Sequence, residues 1–268
     1  MKAERASFAQ RCRATLEASP VLSRLALPVL RRLRYWGRRL RYASLDGYNA
    51  PKYWADRHGK YGFDLRGVGY EGISHAENER IYRHAAQVFL EVCRREGLNF
   101  ADIRMLDIGC GTGYYADVFQ KNGGKHYVGV DITDVLLEEL RRRSPAFVFS
   151  KLDICEQELS GAYDLIAMID VTQHITSEKG FALAMANVRN CLSSDGVLVV
   201  TSWLTATSKS RQFFEVARPL AEYRRHFPGF EFGQPVPFRD KFIFTVRRGG
   251  VPQAGACRRD AASALPGT

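Results

Sequence analysis

The chain has 268 residues, 46% of them hydrophobic and 25% charged, enough for one sizeable α/β domain with attachments or two small domains. Its formal net charge is +10, but residues 1–50 hold eleven Lys and Arg against three acids and carry +8 of it. The main body is therefore close to neutral, which argues against nucleic acid as a partner of anything but the N-terminal piece. No apolar run approaches the roughly 20 residues that span a bilayer. Six scattered cysteines form no C-x-x-C pair, as reduced thiols of a cytosolic protein would.

Over residues 21–41, Leu22, Leu25, Val29, Leu33, Trp36 and Leu40 recur at steps of three or four, one face of a helix that Pro28 is placed to break or kink. Arginines fill much of the other face, so this basic extension (residues 1–50) either lies on an anionic membrane surface or packs its apolar stripe on the main domain. An Arg-rich, acid-poor start also fits an organelle transit peptide. Arg24 inside the apolar stretch, with no clear cleavage site after it, argues against a secretory signal. Ser74 and Glu77 then form a capping box for a helix carrying Ile81, Ala85, Val88, Phe89 and Val92 and ending near Gly97.

From Arg104 onward, short apolar runs alternate with amphipathic helices. The runs are RMLDI (104–108), YVGVD (127–131), FVFS (147–150), YDLIAMI (163–169) and VLVV (197–200), with helices expected at 133–143 and 181–192. Strands without polar alternation, separated by helices, predict a parallel sheet covered on both faces. A further helix is expected near 208–225, and FPGFEFGQPVPFRDKFIFTVRR predicts a hairpin that adds an antiparallel strand. Residues 249–268 lack periodicity and read as a disordered tail.

The first strand runs directly into LDIGCGTGYYADVF, with Gly109, Gly111 and Gly113 at every second position before a helix. Such a loop suits close approach of a nucleotide-like ligand beyond the carboxyl end of a strand. A dinucleotide fingerprint would need a small residue where Tyr114 stands, and the G-K-[ST] of a phosphate-binding Walker loop is absent. The stretch resembles instead the first motif of the class I S-adenosylmethionine-dependent methyltransferases, an acidic residue before G-x-G-x-G, here Asp107-Ile108-Gly109-Cys110-Gly111-Thr112-Gly113. The resemblance covers about residues 104–204. It implies a Rossmann-like, doubly wound, mostly parallel seven-stranded sheet with an antiparallel C-terminal hairpin strand, preceded by the N-terminal helical extension. It divides the chain into a methyltransferase domain (51–248), with cap or lid helices over 51–103 and the core over 104–248.

By the same resemblance the cofactor is S-adenosyl-L-methionine, held by the glycine loop with Cys110 contributing its small size and backbone. Asp131, 18 residues after Gly113, would take the ribose hydroxyls and Ile132 would pack on adenine. Asp153 and Ile154 match the pair at the adenine amino group and ring edge, although Asp153 also reads as a simple helix cap. YDLIAMIDVTQHI looks like the fourth motif, with Asp170 at the strand exit, and LSSDGVLVVTSWL matches the turn and fifth strand. Tyr53, Trp54 and Arg57 lie on a segment that commonly closes over the cofactor, so they form a lid or, alternatively, an anchor packed on the sheet.

A sulfonium methyl is already activated, so alignment of the nucleophile is the main task, and a hydroxyl acceptor also needs a base. His174, just past the fourth strand, is the best-placed base. No metal-ligand cluster is present, and D-V-T-Q stands where methyltransferases of base amino groups carry N-P-P-[YFW]. Trp203, the expected last helix with Phe213, Phe214 and Tyr223, and Phe238-Arg239-Asp240-Lys241 are candidates for the acceptor pocket. The layout looks like small-molecule or saccharide O-methyltransferases, with a lipid-linked acceptor at a membrane face in view of the basic helix. RNA methylation through the N-terminal arginines, and a non-catalytic cofactor-binding scaffold, are the rival readings.

Overall fold

The computed structural model describes residues 20–44 and 47–249. The start of the chain, which a transit peptide would occupy, and the tail expected to be disordered, apart from Gly249, lie outside the described residues. Helix α1 (Pro20–Arg41) runs unbroken through Pro28, against the expected break. Pro28 is solvent-exposed, so water can take the carbonyl that a proline frees one turn back. A short hairpin, β1 (Ala43–Ser44) and β2 (Gly47–Tyr48), leads into α2 (Ala50–Tyr61), whose first turn is capped by the Asn49 side chain accepting from the Lys52 N–H. Helix α3 (His75–Arg95) starts at the predicted box, with Ser74 and Glu77 each accepting the other's backbone N–H.

The core then alternates β3 (Arg104–Ile108), α4 (Tyr114–Lys121), β4 (His126–Asp131), α5 (Leu137–Arg143), β5 (Val148–Lys151), β6 (Tyr163–Met168), α6 (Glu178–Cys191) and β7 (Leu192–Ser202). A hairpin of β8 (Lys209–Gln212) and β9 (Glu215–Ala217), helix α7 (Leu220–His226), and strands β10 (Phe230–Phe232), β11 (Val236–Phe238) and β12 (Lys241–Arg248) complete it. The sheet order is β10-β12-β7-β6-β3-β4-β5, and β11 pairs with β12 beside β10. The eight strands thus fill seven positions, with the outer edge shared by β10 and β11. Strands β3 to β7 are parallel and β12 is antiparallel to β7. The chain moves outward from β3 through β4 to β5 and then restarts on the other side of β3 at β6. That reversal opens a crevice beyond the carboxyl ends of β3 and β6.

The unalternating apolar runs are explained by burial on both faces. Met105, Leu165, Ala167, Val197 and Val199 pack with Phe89 of α3 and Phe119 of α4, while Leu106, Ile166, Met168, Leu198 and Val200 pack with Phe181, Met185 and Val188 of α6.

Three elements differ from expectation. Helix α5 starts at Leu137 rather than 133, because Asp131 Oδ1 accepts the Thr133 N–H and Thr133 Oγ1 accepts the Val135 N–H, local bonds that compete with helix formation. Helix α6 starts at Glu178 because Ser177 caps it. The helix expected near 208–225 is a hairpin followed by the shorter α7. Phe213 and Phe214 occupy the hairpin turn and join Tyr42, Tyr48 and Tyr53 in an aromatic cluster, a long-range contact that outweighs local helical spacing.

Candidate active site

Beyond β3 the backbone enters the left-handed region at Gly109 (φ 76°), Gly111 (φ 50°) and Gly113 (φ 75°). The N–H groups of Gly109 and Cys110 both donate to the Val130 carbonyl, at 2.7 and 3.0 Å, tying the loop to β4. All three glycines also lack room for a side chain, a Cβ on Gly111 standing 2.8 Å from Val68 Cγ1. A Cβ on Gly109 would stand 2.5 Å from Val171 Cγ2, and one on Gly113 would stand 2.5 Å from Leu140 Cδ2. Gly113→Ala is therefore expected to lower stability by about 2 kcal/mol, combining left-handed strain with a clash against a core leucine. Urea unfolding followed by circular dichroism measures it.

Asp131 ends β4 and is buried, with Oδ2 accepting the Gly111 N–H at 2.9 Å and Oδ1 accepting the Thr133 N–H at 3.0 Å. Burial raises its pKa, while His58 and the backbone donors pull it back. His58 of α2 is itself buried, and its Nε2 has no hydrogen-bond partner. Asp107 lies beneath the loop, accepting from the Tyr127 hydroxyl at 2.6 Å; burial, reinforced by the Asp131 charge, pushes it up to about 7.

Asp170, at the exit of β6, has φ 60° and is held by two cations. Arg239 Nη2 lies 2.6 Å from Oδ2 and Lys241 Nζ lies 3.0 Å from Oδ1, both cations nearly fully buried. Against the upward push of burial, Arg239 and Lys241 hold the Asp170 carboxyl well below the usual carboxylate range. Arg239 itself has φ 54°, and its guanidinium lies over the Tyr82 ring, 4.5 Å from the centroid. His174 closes the short helical turn Thr172–His174. Its Nδ1 is 3.0 Å from the Phe214 carbonyl, an acceptor only, so Nδ1 carries the proton and Nε2 keeps its lone pair. Burial beside Trp54 and Phe214 pushes the imidazole down to about 4.

These parts enclose a cleft of about 730 Å³. Gly109, Cys110, Gly111, Asp131, Ile132, Asp153, Ile154, Asp170 and His174 all line it. Asp107, Gly113, Tyr53 and Arg57 do not. Asp153 combines its place on the wall with a local cap, Oδ1 accepting the Cys155 N–H at 2.9 Å. Tyr53 is buried in the aromatic cluster, and Arg57 donates to the Arg66 and Gly69 carbonyls, fastening α2 to the following loop. It is the neighbouring row of α2, Trp54 and His58, that faces the cleft. Tyr48, Tyr82 and Tyr115 also stand on the wall without belonging to any motif in the sequence, whereas Arg239 is one of the acceptor-pocket candidates. The i, i+4 spacing of Trp54 and His58 was visible, but only the packed fold distinguishes their row from that of Tyr53 and Arg57.

A family model for a methyltransferase domain matches residues 76–233. The chain belongs to that family. That family is the class I S-adenosylmethionine-dependent methyltransferases, and the sheet is the Rossmann-like one that the resemblance implied. Two curated relatives are malonyl-(acyl-carrier protein) O-methyltransferases. The protein of Acetivibrio thermocellus is 28% identical over 153 residues, covering 56% of this chain and 52% of that one. The protein of Bacillus cereus is 25% identical over 134 residues, covering 49% of each. The chain thus spans about half the length of the curated relatives it matches. Among solved structures, magnesium protoporphyrin IX methyltransferase from Synechocystis with bound S-adenosylmethionine shares the fold, with a TM-score of 0.57, 18% identity, and coverage of 77% of this chain and 99% of that one.

Proposed function

We propose that the methyltransferase moves the methyl group of S-adenosylmethionine to an oxygen of a small-molecule acceptor bound in the cleft between α2 and the ends of β3, β4 and β6. The residues present fit the cofactor. The loop at Gly109 and Gly111 offers backbone without side chains, Asp131 offers a buried carboxylate, and the unpartnered His58 Nε2 stands on the same wall. Asp131 would accept from the ribose diol, Ile132 and Ile154 would pack on adenine, and Asp153 would receive its amino group. Asp107 and Gly113 act from below, supporting the loop, and Tyr53 and Arg57 act by fixing the helix that carries Trp54 and His58. Residues 51–103 are the cap and 104–248 the catalytic core in this reading.

When bound, S-adenosylmethionine supplies a methyl carbon already made electrophilic by its sulfonium. The protein must then place the acceptor oxygen in line and take its proton. The observation that carries the proposal is His174, whose Nδ1–H is fixed by the Phe214 carbonyl so that the unprotonated Nε2 can receive a hydroxyl proton. Asp170 is not free for that task, since its carboxylate is neutralised by Arg239 and Lys241. Two O-methyltransferases among the relatives favour oxygen over nitrogen as the accepting atom.

Release of S-adenosylhomocysteine over a panel of hydroxy and carboxy compounds, with the methylated atom read by NMR, tests the proposal; an N-methyl or C-methyl product would overturn it. On a hydroxyl substrate, His174→Ala is expected to lower kcat by about 10²- to 10⁴-fold while leaving S-adenosylhomocysteine affinity unchanged. A base with a pKa of about 4 is already neutral at pH 7. The activity is therefore expected to fall only as pH drops through that value, not near the ordinary histidine value of about 6.5.

A further inference from the structure

Helix α1 holds four residues of its apolar stripe away from the domain. Its rotation is fixed by contacts on one side. Arg38 donates to the Tyr53 hydroxyl at 3.2 Å and pairs with Glu71 at 3.5 Å, Arg41 pairs with Asp56 at 2.8 Å, and the Tyr35 ring meets Phe213. The opposite side carries Val29, Leu33, Trp36 and Leu40 at helical steps of four, three and four, so they form one line. All four point to solvent, with 57, 64, 49 and 75% of their surface exposed. These are half of the large hydrophobic side chains exposed among the described residues. A stripe held outward by the helix's own polar contacts is presented to something other than this domain.

The charge around the stripe identifies the occupant. Arg32 and Arg39 are exposed on one shoulder and Arg34 on the other, and the Arg39 guanidinium lies over the Trp36 ring, 5.1 Å from its centroid. No acidic residue occurs between Glu17 and Asp46. No helix among the described residues is long and apolar enough to cross a membrane. We propose that α1 docks flat on an anionic lipid surface, with Val29, Leu33, Trp36 and Leu40 in the acyl boundary and the flanking arginines on lipid phosphates. An apolar line bordered by cations, with an aromatic ring at the boundary, matches the chemistry of the interface. Docking does not depend on the nature of the methyl acceptor. It sets the cleft near the surface, since the hairpin following α1 supplies Ser44 and Tyr48 to the cleft wall.

Co-sedimentation of the full chain with vesicles tests the proposal, using phosphatidylcholine alone and phosphatidylcholine mixed with phosphatidylglycerol. The expected result is binding to the mixed vesicles, weak binding to phosphatidylcholine, and loss of binding as salt rises. The Leu33→Glu/Leu40→Glu variant alters only exposed positions, so it should keep its thermal midpoint and S-adenosylhomocysteine affinity. It should lose vesicle affinity by about tenfold or more. Arg32→Glu/Arg39→Glu should remove the preference for phosphatidylglycerol. Absence of wild-type binding at low salt, equal binding to both vesicle types, or unchanged binding by the leucine variant would overturn the proposal. A wild-type dimer that dissociates in the leucine variant without any vesicle binding would assign the stripe to a second copy of the chain, and would overturn it as well.

Discussion

Asp131→Ala is expected to weaken S-adenosylhomocysteine binding by about a hundredfold or more. Two effects combine. The proposed ribose contact is lost, and a charged acceptor is the stronger kind of hydrogen-bond partner. The Gly111 N–H, which donates to Asp131 Oδ2 at 2.9 Å, also loses its acceptor, so the glycine loop loses a restraint on the side that faces the ligand. Asp131→Asn retains volume and one acceptor oxygen and should fall between the two. Calorimetric titration of both variants, with thermal unfolding as a control for folding, separates loss of the ligand contact from collapse of the loop. Equal affinity in wild type and Asp131→Ala would remove Asp131 from the cofactor site.

The second large effect is on stability. Asp170→Ala leaves Arg239 and Lys241 nearly fully buried without the carboxylate that both contact, although Lys241 keeps Asp240 at 3.1 Å. Removing one partner of a buried ion pair costs about 3–5 kcal/mol, which corresponds to a fall of about 10 °C in Tm for a chain of this size. Alanine at φ 60° adds strain, so Asp170→Gly isolates the electrostatic part. The pH dependence has a definite sign. The folded pKa of Asp170 lies below the unfolded value, so its stabilisation is fully present above about pH 4 and is lost as pH falls through the acid range. The stability gap between wild type and variant should narrow with acidification. A gap that stayed constant would mean that packing, not the ion triad, is what the substitution removes.

What the sequence made legible was local. Apolar runs without alternation, three glycines in five residues and an aspartate ending the next strand each carry their meaning within a few positions. The parallel core, the loop and Asp131 could therefore be placed in advance. Where two distant segments had to meet, the pattern was silent. Phe213 and Phe214 satisfy a helical period, yet they are drawn into a hairpin turn by tyrosines some 160 residues earlier in the chain. Asp170 and Arg239 are both cleft-lining residues, but their pairing depends on β12 inserting beside β7. On α2 the uncertainty was one residue wide. Tyr53 and Arg57 form one row and Trp54 and His58 the next, and the Arg57 contacts with the 66–69 carbonyls decide which row turns inward. The outward stripe of α1 was visible as a stripe, but its direction rests on Arg38, Arg41 and Tyr35 finding partners on the domain.

Calorimetric titration of the wild-type chain with S-adenosylhomocysteine, with NADH run in parallel, decides whether the cleft above β3 and β4 is the cofactor site of a working methyltransferase. One site of micromolar affinity for S-adenosylhomocysteine and no heat from NADH are expected, because Tyr114 stands where a dinucleotide loop needs a small residue. Absence of S-adenosylhomocysteine binding, or tighter binding of NADH, would contradict that role of the cleft.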